Sequence, residues 1–299
     1  MKQVVLQAGE SRALAGHPAQ VKASSEDCDE RFCVLESVIG PGQGPAMHLH
    51  RKHVEAFYVL DGALDIRAGE ATVPAPAGSF VLCPAGSPHT FSNPGPGDAR
   101  FFGFAAPGGI DRFLGGLGAI LGQPGPPDVK ALGELLRRFE SEAVMGEIPD
   151  GPASTVLGPG EGESMTVFGN DLTIKAGAAE TGGAFSLVDY TAAPGFPGPP
   201  PHVHHETADM FFVLEGELTL RLGEETPTLG PGSFVLVPPE TVHTFSNPGD
   251  RPVRFLSLMS PGGFEQYFRD LQDAFGDGPP DVARIGEIAA RYDVDTVAH

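Results

Sequence analysis

The fold of this 299-residue chain is decided by residues 42–62, which read GQGPAMHLHRKHVEAFYVLDG, and by residues 78–93, which read GSFVLCPAGSPHTFSN. Much of this sequence returns 154 residues later. The stretch VEAFYVLDGALDIRAGE, from Val54, corresponds to ADMFFVLEGELTLRLGE, from Ala208. The stretch HTFSNPG, from His89, recurs from His243. A constant offset without gaps across these segments indicates one duplicated unit, so we expect both halves of the chain to fold alike.

Within each unit the apolar residues mainly alternate with polar ones, as in Ala63–Arg67 and Leu218–Leu222, which is the period of a strand. Only the end of each unit changes to near-helical spacing. The segments with that spacing are Ile110 to Leu121 and Asp128 to Phe139 in the first unit, and Phe264 to Phe275 and Asp281 to Tyr292 in the second. The sequence therefore predicts an all-β chain of two antiparallel barrels, each followed by two short helices.

The boundary between the two domains is predicted near Asp150-Gly151-Pro152, in a linker that is rich in glycine and proline. This linker carries no apolar periodicity, unlike the segments on either side of it. The prediction gives an N-terminal domain of residues 1–150 and a C-terminal domain of residues 151–299. The length of the chain suits two domains of medium size.

The acidic composition argues against nucleic acid and membranes as partners. Because the net charge is −20, the surface would repel a phosphate backbone or an anionic membrane. Val4-Val5-Leu6 is far short of a signal-peptide core, and no segment approaches the roughly 20 apolar residues that span a bilayer. We therefore expect a cytoplasmic protein. Its oligomeric state is left open between a homodimer and a chain whose two barrels pair with each other.

Six of the ten histidines occupy corresponding places in the two copies. Residues two apart on a strand project from one face, so both histidines of each His-x-His pair can point into the barrel. A carboxylate follows each pair, and a third histidine lies 34 residues beyond the carboxylate, where a neighbouring strand could supply it. The two sets are His48, His50, Glu55 and His89 in the first copy, and His202, His204, Asp209 and His243 in the second.

Three neutral imidazoles and one carboxylate, with coordination positions left open, suit a divalent transition metal. Iron, manganese, nickel, copper and zinc all remain candidates, with one ion per barrel at most. The alternative for these residues is a set of polar groups that satisfy one another in the core. Burying four such groups without an ion would cost several kcal/mol unless each found a partner, which favours the metal.

These residues resemble the two motifs of the cupin superfamily of jelly-roll barrels. The first copy contains Gly42, His48, His50, Glu55 and Gly62 at the first motif's spacing. It contains the second motif at Gly78, Pro84, Gly86, His89 and Asn93. The whole chain, as two cupin units, resembles bicupins of the quercetin 2,3-dioxygenase-like group.

The resemblance implies an enzyme that binds a flavonol-like, enolic substrate on the metal and inserts both atoms of O2. It implies metal ligation by the first set of four residues, with Glu55 also accepting the proton of the substrate hydroxyl. Phe57 and Val59 lie on the strand face of Glu55, and Phe91 lies two residues after His89. We expect these three side chains to form an apolar wall of the substrate pocket.

The second copy departs from the motifs at three places. Asp209 replaces the glutamate, Glu240 replaces the second motif's glycine, and Phe196 stands where the constant offset puts the counterpart of Gly42. Because aspartate is one methylene shorter, it would ligate only if its strand moved inward or if water intervened. Metal is therefore expected first in the N-terminal barrel.

Two other functions remain open from the sequence. A cupin isomerase or lyase would use the metal as a Lewis acid on a small polar substrate and would need charged groups in the pocket, whereas the inward positions of the motif strands look apolar. A protein that only binds a small molecule or a metal is the other alternative, because fold alone does not fix chemistry. Outside the two sets, we expect His53 and His205 to be solvated, since both break the strand alternation.

Overall fold

The computed structural model describes residues 1–14, 16–68, 70–276 and 278–297. The chain divides into two compact units. The first unit is Ser11–Gly160, and the second combines Met1–Glu10 with Glu161–His299. Among the described residues, no helix has the length and apolar character needed to cross a membrane.

Short strands dominate the first half of the chain, as the alternating pattern predicts. Its strands are β1 (Val4–Leu6), β2 (Arg12–Ala13), β3 (Gln20–Ala23), β4 (Cys33–Ile39), β5 (His48–His50), β6 (Val54–Asp61), β7 (Ala63–Ala68), β8 (Ala71–Pro76), β9 (Phe80–Cys83), β10 (His89–Ser92), β11 (Ala99–Ala106), β12 (Ser141–Ala143) and β13 (Thr155–Leu157). Its helices are α1 (Ile110–Leu121) and α2 (Val129–Arg138).

The second half repeats much of this order of elements, with one additional short helix before its third strand. Its strands are β14 (Glu163–Val167), β15 (Asn170–Ala176), β16 (Ser186–Ala192), β17 (His202–Val203), β18 (Ala208–Glu215), β19 (Leu218–Leu222), β20 (Thr228–Leu229), β21 (Phe234–Val237), β22 (His243–Ser246), β23 (Val253–Ser260) and β24 (Asp295–Thr296). Its helices are α3 (Ala178–Thr181), α4 (Glu265–Phe275) and α5 (Val282–Ala289).

The Pro-Pro-Asp-Val sequence that both copies share marks the start of a helix. The carboxylate of Asp128 accepts hydrogen bonds from the backbone N–H groups of the first turn of α2, at 2.9 and 3.0 Å. Asp281 does the same for α5, at 3.0 and 3.2 Å. An aspartate at this position satisfies amides that have no partner inside the helix. The predicted helices after each barrel are therefore confirmed.

Among the described residues, each unit has one seven-stranded and one five-stranded antiparallel sheet. In the first unit the orders are β13-β9-β6-β11-β4-β3-β2 and β12-β5-β10-β7-β8. In the second they are β1-β21-β18-β23-β16-β15-β14 and β20-β19-β22-β17-β24. This is a jelly-roll arrangement in both units, with two packed sheets in place of a continuously closed barrel.

One short edge strand completes the seven-stranded sheet of each unit. β1 pairs with β21, with Val4 opposite Leu236, although it precedes the first unit in sequence. β13 precedes most of the second unit and pairs with β9, with Thr155 opposite Leu82. These two edge positions were not predicted, because three-residue strands in Gly/Pro-rich surroundings carry no recognisable period.

The core of each unit lies between its two sheets. In the first unit, Phe57 and Phe101 from the seven-stranded sheet pack with Leu64 and Ile66 from the five-stranded sheet. The second unit has a larger cluster built in the same way. Burial of such a side chain stabilises the fold by about 1.5–3 kcal/mol, which fixes the strand faces that point inward. The histidines and carboxylates that share those faces are therefore held inside as well.

Candidate metal centres

The first cluster, defined as His48, His50, Glu55 and His89, lies between the two sheets of the first unit. β5 and β10 of the five-stranded sheet supply the histidines, and their pairing sets His48 opposite His89. Glu55 comes from β6 in the other sheet. One potential ligand atom from each of the four residues lies within 4.8 Å of every other. The neighbouring strand predicted to carry His89 is thus confirmed.

The second cluster, defined as His202, His204, Asp209 and His243, repeats this arrangement and meets the same 4.8 Å limit. Asp209 Oδ2 lies 3.1 Å from His243 Nε2 and 3.5 Å from His204 Nε2. In the first cluster, Glu55 Oε2 lies 3.0 Å from His89 Nε2 and 3.5 Å from His50 Nε2. The shorter carboxylate therefore reaches the same place relative to its histidines.

All six histidines present Nδ1 to an oxygen acceptor. For four of them the acceptor is the carbonyl two residues upstream, at 2.9 Å in each case: Ala46 for His48, Ser87 for His89, Pro200 for His202 and Thr241 for His243. A carbonyl can only accept, so Nδ1 carries the proton in these rings. The Nε2 lone pair is then free to ligate.

Burial keeps part of each cluster neutral at physiological pH. It is the main cause that lowers the pKa of His48 to about 4 and the pKa of His202 to about 4. Burial would raise the pKa of Glu55, but the charge on His50 and the hydrogen bond from His89 outweigh it and hold that pKa well below its usual range. Each cluster thus contains an imidazole that burial keeps neutral and an ionised carboxylate. Against the effect of burial, the carboxylate raises the pKa of His89 in the first cluster and of His204 in the second, so a metal that binds there would displace those protons.

The donor set and its spacing fit a metal ion. Two ligands that each lie about 2.1 Å from one ion are roughly 3.0–3.4 Å apart in octahedral or tetrahedral geometry, close to the separations found here. Asp209 also has a buried Oδ1 with no hydrogen-bond partner. A buried carboxylate oxygen without a donor is costly unless a cation is nearby. This atom therefore favours an ion in the second unit too, where the sequence had left ligation by aspartate in doubt.

The three residues predicted to line a pocket lie in the interior of the first unit. Phe57 and Val59 are members of its core, and Phe91 packs against it. The rings of Phe57 and Phe91 are 5.4 Å apart, and Phe101 lies 5.5 Å from the first and 5.2 Å from the second. Sequence reasoning missed Phe101, because its strand β11 is apolar at nearly every position and gives no alternation from which to assign an inward face. Their role as a substrate-pocket wall stays a prediction.

The interior of the second unit contains two large side chains that the first lacks. Tyr190 is buried opposite Phe255, at the position where the first unit has Ser37 opposite Phe101. The Tyr190 and Phe255 rings are stacked 4.9 Å apart. Phe196 packs against the same core. These two rings therefore add side-chain volume beside Phe255 and Phe245 in the second unit.

Two expectations from the sequence require correction. His53 is buried, 6% exposed, because it packs 5.9 Å from the His50 ring and beside Gly109. The expectation that it is solvated was wrong, whereas His205 is exposed as expected. The counterpart of Gly42 is Gly195, since both have a φ of 71°. An extra residue between Gly195 and His202 shifts the alignment, so the motif's leading glycine is kept and Phe196 follows it.

A family model described as Cupin domain matches residues 35–104 and 188–259. The quercetin 2,3-dioxygenase of Bacillus subtilis (strain 168) is 26% identical over an alignment of 291 residues that covers 89% of this chain and 84% of that protein. Among solved structures, the Bacillus subtilis oxalate decarboxylase with Mn(II) centres has a TM-score of 0.57 at 15% identity, covering 100% of this chain and 90% of its own. Protein Ylba of E. coli has a TM-score of 0.59 at 13% identity, covering 87% and 90%. At these identities the two structures show similarity of fold.

Proposed function

We propose that the chain, which matches the Cupin domain model twice, is a bicupin and a metal-dependent dioxygenase of the quercetinase-like type. The substrate would be a flavonol or a similar enolic aromatic compound, opened with O2 at the first cluster. One observation carries the proposal: a buried set of three histidines and one carboxylate lies beside an aromatic interior. The 26% identity to a quercetin 2,3-dioxygenase over most of the chain supports this choice of chemistry.

In this proposal His48, His50, Glu55 and His89 hold the ion in the first unit. His202, His204, Asp209 and His243 hold a second one. A divalent transition metal would bind an enolic oxygen as a Lewis acid and make the electron-rich ring reactive towards O2. Mn(II), which the structurally similar oxalate decarboxylase contains, is one of the ions to test.

Glu55 is proposed to accept the proton of the substrate hydroxyl. Its carboxylate is ionised at neutral pH because the neighbouring imidazoles hold its pKa down. It is also buried, 7% exposed, so water competes little for the proton. Its Oε2 atom lies 3.0 Å from His89 Nε2, which places the carboxylate against the other members of the cluster. A carboxylate fixed beside the reacting oxygen can take a proton without leaving its place.

The first unit is the better candidate for catalysis because its cluster is more accessible. His48 is half-buried, whereas its counterpart His202 is buried at 8% exposure. The segment before His48, residues 41–46, is exposed, whereas Phe196, in the corresponding segment of the second unit, is half-buried and packs against the core. A planar aromatic substrate needs an entry path and apolar contacts, and the exposed segment beside His48 and the phenylalanines of the interior support the choice of the first unit.

The proposal is tested by oxygen consumption. The full chain, loaded in turn with Mn(II), Fe(II), Ni(II), Cu(II) or Zn(II), is mixed with a flavonol in an oxygen electrode, and the product is analysed by mass spectrometry under ¹⁸O2. We expect uptake of O2 with both labelled atoms in the product for at least one redox-active metal. Bound metal without any uptake would refute the dioxygenase and would favour an isomerase, a lyase or a binding protein. The cytoplasmic location and a homodimer stay predictions from the sequence.

A further inference from the structure

One histidine in each cluster differs from the other two in what fixes its ring. Four rings donate from Nδ1 to a carbonyl only two residues upstream, within the same strand or turn. His50 and His204, the second histidine of each His-x-His pair, instead reach acceptors about ninety residues away in sequence. Both acceptors lie in or next to the strand that follows the helices, β12 in the first unit and β24 in the second.

In the first unit the acceptor is the hydroxyl of Ser141. It lies 2.7 Å from His50 Nδ1 and is buried at 4% exposure. Its own proton is directed to the carbonyl of Phe139, at 3.2 Å. The hydroxyl can then accept from His50, which places the proton of that ring on Nδ1. Backbone pairing of β12 with β5 sets Ser141 directly opposite His50, so the contact follows from the strand register.

In the second unit the backbone carbonyl of Asp293 accepts the hydrogen bond from His204 Nδ1. The Asp293 carboxylate accepts hydrogen bonds from the backbone N–H groups of three consecutive residues after His204, at 2.7–2.9 Å. Those residues are His205, Glu206 and Thr207. The loop that carries the ligand is thus fixed to the segment that returns after α5.

We propose that the returning segment of each unit positions the metal site, with Ser141 orienting His50 and Asp293 orienting His204 so that Nε2 points into the cluster. An imidazole whose Nδ1–H donates a hydrogen bond has one tautomer and a restricted ring angle. Less conformational entropy is therefore lost when the metal binds. The proposal rests on the metal-binding role in the proposed function. It adds that the segments after the helices, which contain no ligand, determine how firmly each ion is held.

The two units make different predictions about mutation. In the first unit a side chain supplies the acceptor, so Ser141→Ala removes it directly. In the second unit the acceptor is a backbone carbonyl, which a side-chain mutation cannot remove. Asp293→Ala removes only the carboxylate that binds the three backbone N–H groups after His204. Each variant therefore leaves the other cluster as an internal reference. Ser79→Ala is the matched control, because the Ser79 hydroxyl is buried in the same unit and has no hydrogen-bond partner.

The first readout is the tautomer of His50 in the full-length chain without added metal. Long-range ¹H–¹⁵N spectra of protein labelled with ¹⁵N-histidine distinguish protonated from unprotonated ring nitrogens. We expect Ser141→Ala to move His50 towards the Nε2–H form, and we expect His204 in the same spectrum and His50 in Ser79→Ala to be unchanged. An unchanged His50 in Ser141→Ala would overturn the proposal. This readout needs neither metal nor substrate, so it stays separate from any failure of the dioxygenase proposal.

The second readout is the affinity for Zn(II), measured on the full chain by competition with a chelator. Ser141→Ala is expected to weaken one of the two sites by about 10–100-fold, the usual effect of removing a partner of a ligating histidine. Threonine and valine side chains have nearly the same shape, and threonine has a hydroxyl where valine has a methyl group. Ser141→Thr and Ser141→Val therefore test the role of the hydroxyl even if the alanine variant fails to fold. Threonine should bind Zn(II) more tightly than valine at that site. Equal affinities for the two variants would refute the positioning role.

Discussion

The two clusters share their ligand geometry but differ in the space around it. The carboxylate lies 3.0 Å from one histidine in the first unit and 3.1 Å from its counterpart in the second, despite the change from Glu55 to Asp209. Beside these similar clusters, Ser37 in the first unit corresponds to Tyr190 in the second. Strand register has kept the ligands in place since the duplication, whereas the interior has diverged.

This difference suggests separate expectations for metal binding and for substrate turnover in the two units. A ligand set that depends on strand pairing tolerates changes elsewhere in the fold, because pairing fixes which faces point inward. A substrate pocket depends on side-chain volume, so a serine-to-tyrosine difference such as that between Ser37 and Tyr190 would leave less room for a substrate in the second unit. We therefore expect both units to bind metal and only the first to turn over substrate.

The largest expected effect is the difference in turnover between variants of the two carboxylates, Glu55 and Asp209. Replacing Glu55 by glutamine removes the proton acceptor, and we expect turnover of a flavonol to fall by about 10²–10⁴-fold. Asp209→Asn should leave turnover near that of the unmodified protein, because the interior of the second unit leaves less room for a substrate. Steady-state oxygen uptake on both metal-loaded variants measures this contrast. Equal losses in the two variants would mean that both units act in the reaction.

The next largest effect concerns the interior itself. Ser37→Tyr introduces into the first unit the ring that occupies the second, and we expect kcat/KM to fall by roughly tenfold or more while metal content is retained. Overpacking should cost about 1–3 kcal/mol of stability, so thermal unfolding is followed in parallel. Ser37→Ala is the control. A Ser37→Tyr variant with full kcat/KM would show that this position does not face the substrate.

A smaller effect is expected at the glycine of the second motif. Gly86 has a φ of 82°, and Glu240 takes its place in the second unit with a φ of 65°. Because a left-handed residue with a side chain is strained by about 1–2 kcal/mol, Gly86→Ala should lower the free energy of unfolding by about that amount. Glu240→Gly should raise it by less, since the contact with His205 is lost. Urea denaturation of both variants checks the signs, and a loss of stability in Glu240→Gly would contradict the assignment of strain.

The smallest effect is a difference in pH dependence. Arg51 in the first unit forms a bidentate pair with Glu142 on β12, whereas the corresponding His205 lies 3.0 Å from both Asp295 on β24 and Glu240. Hydrogen bonds with Asp295 and Glu240 raise the pKa of His205 to about 9. A raised pKa means that the stabilisation is complete below the ordinary value of 6.5 and is lost as the pH rises through about 9.

Melting temperatures test this difference. The difference in melting temperature between the unmodified protein and His205→Gln should disappear between about pH 6 and about pH 10. The corresponding difference for Arg51→Gln should stay constant, because arginine keeps its charge over this range. Both groups are exposed and screened by solvent, so shifts of a degree or two are expected. Parallel pH profiles for the two variants would contradict the raised pKa.

Much of the fold and most of the candidate site could be predicted because they depend on short, regular patterns. The duplication, the strand alternation and the helical segments are visible directly in the sequence, and α1 begins and ends at the predicted residues, Ile110 and Leu121. The gathering of His48, His50, Glu55 and His89 follows from strand geometry and the two motifs. These features are local or depend on a repeat with a constant offset.

The remaining features depend on contacts between distant segments. β1 and β24 pair through two or three residues each, too few to show a period. Ser141 and Asp293 contact their histidines from about ninety residues away, and no motif marks them. His53 was misread because alternation predicts the face of a residue in a strand, not in the turn where His53 lies. Phe196 was aligned with Gly42 because nothing in the sequence marked the single extra residue between Gly195 and His202.

The most direct test of the account is metal analysis and flavonol-dependent O2 uptake on the unmodified chain, His50→Ala and His204→Ala. We predict two metal ions per chain in the unmodified protein and one in each variant, with O2 uptake abolished only in His50→Ala. Loss of uptake in His204→Ala with retention in His50→Ala would place the reaction in the other unit. A chain that binds no metal would contradict the central claim that both units hold an ion.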